Sequence, residues 1–99
     1  MSRYKQLFDE MLAKNRELFI KFKIVHDMYT ADPKGNKEEF NALGKQILPI
    51  IHEYENILCG HSEQGQYSKY SANLADKFWT EVRKNYPRID FVGIKQTFG

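Results

Sequence analysis

Residues 2–30 read SRYKQLFDEMLAKNRELFIKFKIVHDMYT, with no proline and no glycine. Tyr4, Phe8, Met11, Asn15, Leu18, Phe22, Val25 and Tyr29 follow at alternating steps of four and three, the seam of an α-helix with Asn15 its one polar member. The pattern predicts one uninterrupted helix of roughly 43 Å at 1.5 Å per residue. Leu7, Leu12 and Phe19 widen the stripe as a core-facing helix requires, and Ser2 is a suitable N-cap. Lys5, Asp9, Glu10, Lys14, Glu17, Lys21 and Lys23 occupy the other side and read as a solvated face. Everything after residue 30 reads as something that packs against this helix.

The run TADPKGN, 30–36, ends it. Asp32 before Pro33 disfavours helical backbone, and Gly35 permits a turn. Asn36 and Glu39 then resemble a capping box opening a second helix, whose stripe is Phe40, Leu43, Ile47, Ile50, Tyr54 and Ile57. Pro49 falls inside that stripe, so a kink is expected near 44–49. Gly60 is a natural stop. A third helix starts at Ser68, Ser71 or Asn73 and carries Leu74, Ala75, Phe78 and Val82 inward, with Trp79 beside them and Pro87 at its end. The tail, PRIDFVGIKQTFG, is too apolar for a loose terminus and predicts a turn of helix packed back on the rest.

The fold expected is therefore all-α, over a single domain of residues 1–99: a long antiparallel helical hairpin, a shorter third helix and an apolar C-terminal tail packed back, a three-helix bundle. The third helix is too short to cover the whole platform. The far end, around Phe22, Val25, Tyr29, Phe40 and Leu43, needs the tail, a second copy of the chain, or both.

Composition narrows the function classes. The 99 residues are 41% hydrophobic and 14% aromatic, which is not the composition of a disordered chain. A net charge of +2, from 15 basic and 13 acidic residues, is too balanced for a protein that coats nucleic acid. The single Cys59 allows no internal disulfide and fits a reducing compartment. No apolar run reaches the roughly 20 residues of a membrane span, and no signal peptide is visible, so a soluble cytoplasmic protein is expected.

No phosphate-binding glycine loop, HExxH, paired CxxC or GxSxG is present, so nothing points to a catalytic centre or a resident cofactor. His52 and Glu55 stand three apart on a helix, but a lone pair in reversed order is not a di-iron signature, and no metal is expected. His26, between Phe22 and Tyr29, reads as a half-buried structural histidine. Cys59 and His61 sit at a helix C-terminus, the wrong end to favour a thiolate, so a buried inert thiol is expected.

Two regions remain as candidate sites. The 60–71 stretch, GHSEQGQYSKYS, gathers His61, Glu63, Tyr67, Lys69 and Tyr70 in a long connection, a set suited to a small polar ligand or a metal, with or without catalysis. Trp79, Arg83, Lys84 and Arg88 combine basic and aromatic groups and are the candidates for weak nucleic-acid binding. Residues 69–99 hold six basic and three acidic residues, a thin excess for a phosphate-binding face. The reading that carries furthest is non-enzymatic: a small helical protein acting through protein–protein contact, as a homodimer or with another protein. Its motive is the surplus of apolar helix surface.

Overall fold

The computed structural model describes residues 2–60 and 69–93. Among them there is no β-strand. Four α-helices, α1 (Arg3–Lys14), α2 (Arg16–Ala31), α3 (Pro33–Leu58) and α4 (Lys69–Asn85), are followed by a 3-10 turn, Ile89–Phe91.

The expected first helix is thus two. Asn15 takes φ −123° and ψ 35°, outside the helical region, and divides it. The hydrogen bonding barely suffers. The Asn15 N–H still donates to the Met11 carbonyl at 3.2 Å, its side-chain Nδ2 donates to the same carbonyl at 3.0 Å, and the Phe19 N–H reaches the Asn15 carbonyl at 3.1 Å. An asparagine amide competes with the backbone for local partners, and here it caps the turn that it interrupts. The polar seam member is the point at which the helix breaks.

The second correction concerns the next helix. It begins at Pro33, not at an Asn36 capping box. Asp32 is the N-cap, its carboxylate accepting from the Gly35 N–H at 3.2 Å, and Pro33 takes the first helical position, where its fixed φ suits and its missing N–H costs nothing. Asn36 instead ties the helices together, donating to the carbonyls of Met28 at 3.0 Å and Asp32 at 3.1 Å. A single residue, Asp32, separates α2 from α3. α3 then runs through Pro49 without interruption for 26 residues, about 39 Å. Pro49 and Lys45 are both exposed, where water can replace the lost backbone donor.

The core is one cluster. Leu7, Phe8 and Met11 of α1, Phe19, Phe22, Val25 and Tyr29 of α2, Phe40, Ile47, Ile51, Tyr54 and Leu58 of α3, and Phe78 and Val82 of α4 are buried together. Tyr29 stacks on Phe40 with ring centroids 4.0 Å apart, which sets the antiparallel register of α2 and α3. Phe8 meets Phe78 edge-on at 6.3 Å, and Tyr86, just past α4, lies 5.4 Å from Phe22. The chain from Phe78 to Tyr86 therefore follows α1 and α2 in the same direction, as expected.

The tail folds back at least as far as residue 93. Ile89 and Val92 are buried, and the Gly93 N–H donates to Oδ1 of Asn41 at 2.7 Å. Gly44 lets this segment close. A Cβ there would lie 2.4 Å from Cγ1 of Val92, so only glycine admits the approach. Ile94 and Phe98 lie outside the described residues.

Candidate functional site

Of Phe22, Val25, Tyr29, Phe40 and Leu43, the residues whose covering was in question, the first four are buried in one core with Tyr86, Ile89 and Val92, and Leu43 is half-buried. The uncovered apolar surface lies elsewhere. Ile20, Ile24 and Met28 are 49%, 57% and 45% exposed and recur every four residues, one row along α2. At 100° per residue this row stands opposite Phe22 and Tyr29, so α2 is apolar on two faces and its own fold covers one.

Beside the row, α2 and α3 enclose a groove of about 580 Å³ lined by Lys21, Ile24, Val25, Met28, Glu39, Ala42 and Leu43. The folded-back segment meets α3 through Asn41 and Gly44, on its other side. Lys21 and Glu39 are both exposed, and neither makes an ion pair among the described residues. The groove thus has an apolar floor with one cation and one anion at its rim. Sequence reading missed it because Lys21 and Lys23 interleave with Ile20 and Ile24. The four-residue recurrence of Ile20, Ile24 and Met28 was the available signal.

A smaller hollow of about 330 Å³ lies along α3 between Pro49, His52, Glu53, Asn56 and Ile57. His52 pairs with Glu55 at 3.3 Å and rests 5.4 Å from the Trp79 ring. Among the described residues no three His, Cys, Asp or Glu side chains gather to hold a metal ion.

The basic candidates are brought only partly together. The Arg83 guanidinium lies 5.5 Å from the Trp79 ring, yet it is also paired with Asp90 at 2.9 Å, which holds its pKa up. Lys84 lies 3.6 Å from Glu81, and Arg88 covers Phe91 at 5.7 Å. Two of the three cations thus face a carboxylate of their own chain. Of the loop candidates, His61, Glu63 and Tyr67 lie outside the described residues. Lys69 and Tyr70 form the first turn of α4, and their side chains also lie outside the description.

His26 is not half-buried but 2% exposed. It sits against Phe22, Phe40 and Tyr86, with ring centroids 5.9, 6.1 and 6.0 Å away. Its Nε2 accepts the Arg88 backbone N–H at 3.0 Å. That bond assigns the proton to Nδ1, which donates to Asp27 at 3.1 Å. Burial lowers its pKa, against the pull of Asp27, and Lys23 and Arg88 lower it further. Lys23 also donates to the Asn85 carbonyl at the end of α4 at 3.0 Å. Burial pushes the neighbouring Tyr86 up to about 12, so its hydroxyl stays neutral. Cys59 is buried at the end of α3, and burial, aided by Glu55, raises its thiol pKa, away from the reactive thiolate.

Among the described residues no helix is long and apolar enough to cross a membrane. Compared with known protein families, curated proteins and solved structures, the chain matches none.

Proposed function

We propose that the protein works through protein–protein contact, with the groove between α2 and α3 as its contact surface. The observation that carries this reading is the row Ile20, Ile24 and Met28, three large apolar side chains exposed together on a helix whose opposite face is already buried. Single exposed apolar residues are ordinary, but a contiguous row beside a groove is the usual mark of an interaction site. The mixed rim suits a protein surface better than a small ligand, because no convergent set of polar groups lines the floor. A reducing compartment, the cytoplasm, fits a lone cysteine that is buried.

A photo-crosslinking residue placed at position 24, with one at exposed Lys77 of α4 as control, tests the reading in the cells that make the protein. The expected result is a discrete protein adduct from position 24 and none from 77. No protein adduct from position 24 would remove the basis of the proposal.

A further inference from the structure

Residues 87–93, which leave α4, form a strap across α2 and α3. Ile89 and Val92 are buried, and Val92 fills the notch that Gly44 leaves on α3 between Phe40 and Ile47. The regular structure of the strap is one 3-10 turn, Ile89–Phe91. Its backbone is tied to α2 by the Arg88 N–H, which donates to Nε2 of His26 at 3.0 Å, and to α3 by the Gly93 N–H, which donates to Oδ1 of Asn41 at 2.7 Å. Asp90 pairs with Arg83 at 2.9 Å, a contact back to the helix that the strap continues. Both cross-ties thus end on side chains, and one of these, the imidazole, is of a type that titrates near neutral pH.

The tie to α2 needs a neutral ring. Nδ1 carries the proton shared with Asp27 at 3.1 Å, and Nε2 accepts. A proton on Nε2 turns the acceptor into a donor and sets it against the Arg88 N–H. Phe22, Phe40 and Tyr86 wall the ring. The charged groups facing it are Lys23 and Asp27 on α2 and Arg88 on the strap, two cations against one anion. α3 presents the uncharged Phe40, and the end of α4 presents Tyr86, whose phenol stays neutral. The closed site therefore resists a charge on the ring, whereas a lifted strap gives the ring water and removes the facing N–H. The contacts that set the helices, Tyr29 on Phe40 and Phe8 on Phe78, involve no residue of the strap.

We propose that residues 87–93 are a latch, closed over α3 by neutral His26 and released when the ring takes a second proton. Release bares Ile89, Val92 and the Gly44 notch while the helices stay folded. The open form holds a histidine of ordinary pKa, 6.5, and the closed form one of lower pKa. Opening is therefore favoured as pH falls through 6.5, by up to tenfold per pH unit, and levels off at the closed-form value.

Amide hydrogen exchange tests the latch. Rates are read by NMR at pH 7.5, 6.5 and 5.5, each divided by the intrinsic rate at that pH, in urea well below the unfolding transition. Arg88, Val92 and Gly93 should lose protection together, severalfold to about tenfold between pH 7.5 and 5.5. Their exchange should change little with urea, the mark of a small local opening, whereas Phe22 and Ile51 in the core should respond steeply. His26→Gln, whose amide can accept from Arg88 but takes no proton, should show no pH response at these three amides. Asp27→Asn, a change at an exposed position that is expected to fold, removes the one facing group that favours the charged ring, so its response should run on to lower pH.

Protection at Arg88 and Gly93 that is independent of pH in the wild type overturns the latch, as does an equal pH response in His26→Gln. Loss at Arg88 alone, with Val92 and Gly93 unmoved, overturns the strap as one unit. A urea dependence as steep as that of Phe22 makes the opening global and overturns it too. A response in Asp27→Asn that ends at the wild-type pH assigns the proton to another group.

Discussion

The backbone N–H of Arg88 donates to Nε2 of His26 across 62 residues of sequence, at 3.0 Å. One buried imidazole thus joins α2 to the segment that leaves α4 and closes over α3. The bond exists only while the ring is neutral. A second proton on Nε2 would set two donors face to face in a site walled by Phe22, Phe40 and Tyr86.

Acid should therefore loosen this end of the molecule before it touches the rest. His26 has a folded pKa below its ordinary 6.5, so the unfolded chain binds the extra proton first. Its contribution is complete above about pH 6.5 and declines as pH falls from there toward the folded value. Asp27, Lys23 and Arg88 are the charged groups facing it, and Asp27 alone opposes the shift. Glu10 and Asp27 also have lowered pKa values, but their contributions fade only below about 4.5 and 3.8. Urea denaturation at pH 7.5 and pH 5.5 should show a lower midpoint at pH 5.5. His26→Gln should be less stable at pH 7.5 and lose most of that difference, and an unchanged difference in His26→Gln would assign the effect elsewhere.

Gly44→Ala should destabilise, although alanine is the better helix former by about 1 kcal/mol. The new methyl would meet both γ carbons of Val92, at 2.4 and 2.6 Å, and overpacking of this kind costs about 1–3 kcal/mol. Adding Val92→Ala should recover part of the loss, so the two substitutions should be strongly non-additive. Thermal unfolding of the four proteins in the cycle measures this. A more stable Gly44→Ala would mean that the segment yields without cost.

Asp32→Ala should lower stability by about 1 kcal/mol, the usual worth of an N-cap carboxylate. Asp32→Asn should keep most of it, since the amide oxygen can still accept from Gly35. Equal losses in the two variants would instead assign the effect to the carboxylate's charge near the start of α3.

The helical architecture and the core were legible because burial repeats with the helix. Phe8, Met11, Phe22, Val25 and Tyr29 stand buried where their three-and-four spacing put them. Boundaries were harder, since the same residue types serve opposite ends. Asp32, Pro33 and Gly35 read as a helix-ending turn, yet Asp-Pro is also an N-cap with its first helical residue, and here it is both. Asn15 kept the seam's phase, and nothing in the periodicity distinguishes a polar seam residue from a break. The groove was hidden by reading α2 for one stripe when it has two. The bond from Arg88 to His26 had no local signature, because it depends on how the tail returns.

The central claim, that another protein surface covers the α2–α3 groove, is tested most directly at Met28. The chain has three methionines, Met1, Met11 and Met28, so ¹³C-methyl labelling gives a simple spectrum, with fully buried Met11 as an internal reference. Relaxation of the Met28 methyl by a soluble gadolinium chelate is measured in dilute protein, in concentrated protein and in extract of the source cells. The account predicts strong relaxation in dilute protein, where Met28 is 45% exposed, and marked protection on concentration or in the extract, with Met11 unchanged throughout. A Met28 methyl equally open to the chelate under all three conditions would contradict it.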